Sequence, residues 1–287
     1  MRSNTIIFNF ELSILNFTMD LSIIILNYKT KGLVKYCIKN AQTAAQGLDY
    51  EIIVIDNGSN DGCGEMVRQN FPEVKFIQNK KNIGFGAGNN CGIRLAQGRY
   101  IMTLNPDVTA LEDSIKKMVE FMDANPQVGC AGPKLINADG SHQHSARKFM
   151  TPFLVLYRRT PLGQLARGRS ALNKFLYLDW DHNDNRPVDW LFGACLIARK
   201  EVVDQIGAFD ERYFLYFEDM DWCRRFWEKG HQVFYVADAK MVHLHERASE
   251  TEPWEFIKVY RRTTRWHLIS GIKYFLKYHN SNANFSL

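Results

Sequence analysis

Leu21-Ser22-Ile23-Ile24-Ile25-Leu26-Asn27 is a continuous apolar run closed by an amide, the pattern of a strand buried on both faces. Downstream, Leu33, Val34, Cys37, Ile38, Ala41 and Ala45 recur at helical spacing until Gly47 offers a stop. Ile52–Ile55 reads as the next strand and ends at Asp56-Asn57-Gly58-Ser59-Asn60-Asp61-Gly62, a dense turn signal. Val74–Gln78 predicts a third strand, followed by a loop over Asn79–Gly88 and a helix over Asn89–Gln97. Tyr100–Leu104 predicts a fourth strand, halted at Asn105-Pro106-Asp107. Strands alternating with helices predict an α/β fold with a mainly parallel central sheet flanked by helices.

In such sheets ligands bind beyond the carboxyl ends of the strands. Asn27, Asp56, the Asn82–Gly88 loop and Asp107 all fall at such ends, so the site is expected there. A dinucleotide fold needs G-x-G-x-x-G after the first strand, and Tyr28-Lys29-Thr30-Lys31-Gly32 does not supply it; no Walker-type loop is present either. A second feature lies about a hundred residues on. Phe217-Glu218-Asp219-Met220-Asp221 carries three carboxylates in four residues, ahead of a helical pattern that runs to Gly230. Like charges this close raise one another's pKa and make a carboxylate a useful proton acceptor. Acidic residues in a first helical turn also offset the macrodipole, so the run alone leaves both readings open.

In their order, these segments resemble the family 2 glycosyltransferases of the GT-A fold, and most closely the rhamnosyltransferases of bacterial surface polysaccharides. The resemblance runs from Leu21 to about His267. It rests on Asn27-Tyr28, Asp56-Asn57-Gly58-Ser59-x-Asp61-Gly62, Asn82-x-Gly84-Phe85-Gly86 with Asn89, and Leu104-Asn105-Pro106-Asp107. It continues through Trp190-x-x-Gly193-Ala194, Gly207-x-Phe209-Asp210-x-x-Tyr213-Phe214, Glu218-Asp219-x-Asp221 and His243.

The resemblance implies an inverting transfer of a sugar, L-rhamnose from dTDP-L-rhamnose, to a polyprenyl-diphosphate-linked glycan. It assigns Asn27, Asp56, Asn82, Gly84, Phe85, Asn105 and Asp107 to the nucleotide sugar. Asp107 and His243, with His245 as a competing candidate, become the expected contacts of Mg²⁺ or Mn²⁺. The fold's usual D-x-D motif here has Asn105 as its first member, which adds no charge to a metal site. Asp219 becomes the general base, with Glu218 and Asp221 tuning it or orienting sugar hydroxyls, and Trp190, Gly193 and Arg147 fall on the acceptor side. Asp56 also suits an Asx-turn, and Trp190 equally a core strand over Val188–Ala198. The alternatives are another donor (a UDP-hexose or galactofuranose nucleotide), a sugar-phosphate nucleotidyltransferase, or a silent sugar-binding module. The nucleotidyltransferase needs a basic Gly-rich loop after the first strand, and the silent module need not keep the acidic run.

With 287 residues and 46% apolar content the chain suits one elaborated domain. It divides into an extension or miscalled start over 1–18, a GT-A domain over 19–252 and a basic, aromatic helical segment over 253–287. Within the domain, the nucleotide-sugar half is expected over about 19–132 and the acceptor and catalytic half over about 133–252. Six scattered cysteines without C-x-x-C spacing point to a reducing cytoplasm rather than a disulfide framework. The net charge of +5 predicts no partner by itself, and no nucleic-acid motif accompanies it. Its distribution is more telling. Arg147, Lys148, Arg158, Arg159, Arg167, Arg169 and Lys174 occupy a segment without acids, the expected acceptor-side lid. Lys258, Arg261, Arg262, Arg265, Lys273 and Lys277 alternate with Trp254, Phe256, Trp266, Ile269, Ile272, Phe275 and Leu276, which suits an anionic membrane surface on the inner face of the cell membrane.

Overall fold

The computed structural model describes residues 19–159, 161–244 and 253–279, without the side chains of 156, 159 and 253–264. The N-terminal extension, His245 and the side chains of Trp254, Phe256, Lys258, Arg261 and Arg262 therefore lie outside the described residues.

The chain begins as expected, with β1 (Met19–Asn27), α1 (Lys31–Ala44), β2 (Tyr50–Asp56), α2 (Cys63–Asn70) and β3 (Lys75–Gln78). Then come α3 (Phe85–Ile93), β4 (Gly98–Leu104), β5 (Val108–Ala110), α4 (Ser114–Ala124), β6 (Val128–Ile136) and β7 (Ala146–Arg147). The basic segment holds α5 (Pro152–Arg159), a 3₁₀ turn over Pro161–Gln164 and α6 (Ala166–Phe175). After it run β8 (Arg186–Pro187), β9 (Trp190–Leu191), β10 (Cys195–Arg199), α7 (Lys200–Ile206), α8 (Glu218–Glu228), β11 (Gln232–His243) and α9 (Pro253–Tyr278).

Among the described residues one large sheet runs β3-β2-β1-β4-β10-β6-β11-β5, with β8 paired to β11. β3, β2, β1 and β4 are parallel neighbours, as are β6 and β11, while β10 is antiparallel to both β4 and β6. The sheet is thus mixed, as expected. Ile23 and Ile25 face one apolar layer with α1 and α4; Ile24 and Leu26 face the other with α3, α7 and α8. Burial on both sides explains why β1 reads as continuous apolar sequence rather than alternation.

Two boundaries differ from the sequence reading. α3 starts four residues early, at Phe85, so Gly86 and Gly88 lie in a helix and not in a loop. A Cβ at Gly88 would stand 2.7 Å from Leu26, and one at Gly92 2.6 Å from Ile24, so these glycines let α3 settle onto β1. Gly84, at φ +99°, makes the turn into the helix where a side chain would strike the Phe214 carbonyl oxygen. The strand expected over Val188–Ala198 is two strands, broken by a turn at Phe192–Ala194 that carries Gly193.

Candidate active site

The carboxyl ends of β4 and β11, the β9–β10 turn and the start of α8 close around a cavity of about 710 Å³. That volume falls in the range of small-molecule sites. On its wall stand Phe85, Asn105, Asp107, Arg147, Trp190, Gly193, Glu218, Asp219 and His243, nine of the residues singled out from sequence.

Asp219 is fixed by two backbone donors. The Gly193 N–H donates to Oδ2 at 3.0 Å and the Met220 N–H to Oδ1 at 2.8 Å. A Cβ at Gly193 would sit 3.3 Å from that of Asp219, a tight contact that would press on the carboxylate's side chain. Burial raises the Asp219 pKa, against the two backbone donors and the Arg147 charge. Glu218 is buried beside it, with Oε2 lacking any partner, and burial followed by the Asp219 charge pushes its pKa well up. The pair therefore shares a raised affinity for protons. Tyr216 and Phe217, just ahead, have φ of 68° and 71°. Two adjacent bulky residues in the left-handed region cost about 1–3 kcal/mol each, strain of the kind held at functional sites. Here it turns the chain so that α8 enters the cavity with its carboxylates first.

Asp107 and His243 face each other, with His243 Nε2 3.5 Å from Asp107 Oδ2. β11 brings the histidine there through its antiparallel pairing with β5, which sets His243 opposite Val108. His243 Nδ1 pairs with Gln143 Oε1 at 2.7 Å, which orients the ring with Nε2 toward Asp107. Asp107 Oδ1 is buried without a partner. An unpartnered carboxylate oxygen beside an oriented imidazole fits a divalent cation.

Arg147, on the cavity wall, lies over the rings of Phe192 (4.5 Å) and Phe175 (5.3 Å). Burial, with Arg158 nearby, lowers its pKa to about 10, and its Nε is unpartnered. Trp190 serves both readings: it is buried, its Nε1–H donates to the Lys148 carbonyl at 2.8 Å, and its ring lines the cavity.

Four residues expected on the nucleotide sugar, Asn27, Asp56, Asn82 and Gly84, are not on the cavity wall. They form a hydrogen-bonded shelf at the ends of β1 and β2. Asn27 Nδ2 donates to Asp56 Oδ1 (2.7 Å) and Ser59 Oγ (2.8 Å), while its Oδ1 accepts from the Thr30 N–H and hydroxyl. Asp56 also accepts from the Ser59 hydroxyl and backbone N–H and from Gln78, so it closes its own turn. Asn82 Oδ1 accepts from the Gly84 N–H and from Asn57 Nδ2.

Asp221 is elsewhere. It is fully buried on the far side of α8, where Oδ1 accepts from Lys277 Nζ (2.6 Å), Tyr278 OH (2.9 Å) and Tyr213 OH (3.3 Å), and Oδ2 from Arg225 Nε (2.9 Å). It joins α9 to the domain, a placement at odds with a part in the cavity. Sequence reasoning passed over Asn137, Gln143, Met150, Phe192, Leu215 and His267, which also line the cavity. Only Gln143 had a legible signal, a polar residue between two histidines.

Residues 22–207 match the family described as glycosyl transferase family 2, and the chain belongs to that family. It is a glycosyltransferase. It is similar, at 28% identity over 74% of this chain and 72% of the relative, to the N-acetylglucosaminyl-diphospho-decaprenol L-rhamnosyltransferase of Mycobacterium tuberculosis. At 25% identity it is similar to the rhamnosyltransferase WbbL of Escherichia coli over 92% of this chain and 96% of that one. Among solved structures, GalNAc-T7 with UDP, GalNAc and Mn²⁺ shares the fold at TM-score 0.57 and 14% identity, over 84% of this chain and 47% of that one. A Pyrobaculum calidifontis mannosyltransferase with GDP-Man and Mn²⁺ shares it at TM-score 0.53 and 17% identity, over 81% and 61%. These likenesses bear out the GT-A fold.

Proposed function

We propose that this enzyme moves L-rhamnose from dTDP-L-rhamnose to a polyprenyl-diphosphate-linked glycan, in one displacement that inverts the anomeric carbon. The observation that carries the reading is a single cavity with Asp219 on one wall and Asp107 with His243 on another. The names of the two rhamnosyltransferases supply the transferred sugar, and the first of them the diphospho-polyprenol-linked acceptor; the dTDP carrier rests on the resemblance of the motifs. Asp219 Oδ1 and Oδ2 each keep a lone pair beyond their backbone bonds, and one of these takes the proton of the acceptor hydroxyl. That oxygen bonds to the anomeric carbon as the bond to the diphosphate breaks. Asp107 and His243 would hold Mg²⁺ or Mn²⁺, which when bound neutralises charge on the leaving diphosphate. The shelf of Asn27, Asp56, Asn82 and Gly84, with Phe85 and Asn105, borders the nucleoside end, and Arg147 and Trp190 meet the acceptor.

Among the described residues no helix is long and apolar enough to cross a membrane. We place the enzyme in the cytoplasm, on the inner face of the membrane, through α9. Leu268, Ile272 and Leu276 form an exposed apolar stripe along its outer face while Ser270 and Lys277 bond inward to the domain. Incubation with polyprenyl-diphosphate-GlcNAc and a panel of dTDP-rhamnose, UDP-glucose and UDP-galactofuranose tests the donor. Rhamnose should transfer fastest; a preference for either UDP sugar would reassign it.

A further inference from the structure

We propose that His142, His144 and His182 form a second cation site, for a divalent transition ion of the zinc class, separate from the Asp107–His243 pair. The three offer ring nitrogens that all lie within 4.8 Å of one another. His142 and His144, two residues apart on an extended segment, project to the same side, while Gln143 between them points the other way to His243. His182 arrives from the segment between α6 and β8, about forty residues on. It holds a left-handed backbone, φ 57°, and its ring stacks on Trp180 at 4.1 Å between centroids. Its carbonyl accepts from Lys134 Nζ at 3.0 Å, which fixes the turn.

What points to a ligand is the set of nitrogens left over. Both ring nitrogens of His142, Nδ1 of His144 and Nε2 of His182 are buried without a hydrogen-bond partner. Buried polar groups in folded proteins are nearly always paired, so four unpaired nitrogens converging in one place call for a common partner. Imidazole is the ligand preferred by zinc-class ions, and it binds in its neutral form. Burial favours that form in all three, lowering the His142 pKa to about 4. Around zinc, ligand nitrogens sit about 3.4 Å apart, so from a spread of up to 4.8 Å the rings need close by at most about 1.4 Å. Three protein ligands leave one position of a tetrahedral ion open. His142 and His144 also line the large cavity, so the site adjoins it. The ion would clamp the 137–147 segment, which supplies Gln143 and Arg147, to the wall beneath it.

The Asp107→Ala protein isolates the site by disabling the other pair. Titrated with Zn²⁺ in a calorimeter, it should bind one ion per chain, and Co²⁺ in its place should give the visible bands of a low-coordinate imidazole complex. His144→Asn and, separately, His182→Asn in that background should weaken Zn²⁺ binding roughly 100-fold or more. Asparagine tolerates the left-handed backbone at 182, and circular dichroism reports whether each variant is folded. X-ray absorption of the zinc-loaded Asp107→Ala protein, which needs no histidine variant, should count three imidazoles. No saturable Zn²⁺ binding by Asp107→Ala, equal binding in both histidine variants, or a first shell without three imidazoles would each overturn the proposal.

Discussion

Asp219 and Asp221 stand two residues apart and lie in different surroundings. At about 100° per residue their side chains leave the helix roughly 200° apart, so they cannot share a cavity. Asp219 takes the open side with Gly193, and Asp221 the packed side with Lys277 and Arg225. The acidic run was legible as a candidate site, but which of its carboxylates faces the cavity was not, because that depends on where the helix lies in the fold. Asp219→Asn should cut turnover about 10²–10⁴-fold and leave donor binding, read by calorimetry, almost unchanged. Glu218→Gln, which mimics the protonated acid, should lose less than about tenfold, and the acid limb of kcat/KM should lie above the ordinary carboxylate range. The raised Glu218 pKa also fixes a sign. The native protein holds a proton that the unfolded chain releases, so this contribution to stability is complete below the unfolded value near 4.5 and is lost as pH rises through the native one. The Glu218→Gln protein should therefore gain stability relative to wild type as pH rises through that window in urea titrations; a constant difference would show that Glu218 is ionised. Asp107→Ala should weaken nucleotide-sugar binding and abolish metal stimulation, and full activity in excess chelator would remove the cation from the account.

At the scale of elements, α9 was legible as a basic aromatic helix, and its described half turns out to be built into the domain. Trp266 stacks on Phe214 at 4.4 Å, and Tyr274 and Phe275 pack around Phe217, the residue just before α8. Helical periodicity shows which residues share a face, but not which face meets the core when both carry apolar side chains. The same ambiguity hid the break at Phe192–Ala194, since a buried turn in apolar sequence looks like strand. Asp221→Ala leaves Lys277 and Arg225 facing a buried gap, and should destabilise the fold by about 3 kcal/mol, several degrees in Tm. Turnover per folded molecule should be largely retained. A stable but inactive Asp221→Ala protein would return this carboxylate to the chemistry.

Over the whole molecule, the carboxyl ends of the strands were the legible place for a site, and the cavity lies there. Apart from Arg147, the wall built from Asn137 to Met150 was not singled out, because its residues belong to short strands and loops whose partners are distant in sequence. His182 is the plainest case, meeting His142 only through tertiary packing. The proposed membrane attachment also belongs to this scale. Arg261, Arg262 and Arg265 changed together to Gln should reduce binding to anionic liposomes several-fold or more, since each basic residue near such a surface contributes about 1 kcal/mol. Transfer to a short water-soluble acceptor should hardly change; a collapse of that soluble assay would instead place the helix in the acceptor site.

Inverting transfer of rhamnose through Asp219 is tested most directly by nuclear magnetic resonance of the product formed from dTDP-L-rhamnose and polyprenyl-diphosphate-GlcNAc. The anomeric coupling should show one new glycosidic bond of configuration opposite to the donor, formed by the wild type and not by Asp219→Asn. A product with retained configuration, or one made equally well by Asp219→Asn, would contradict it.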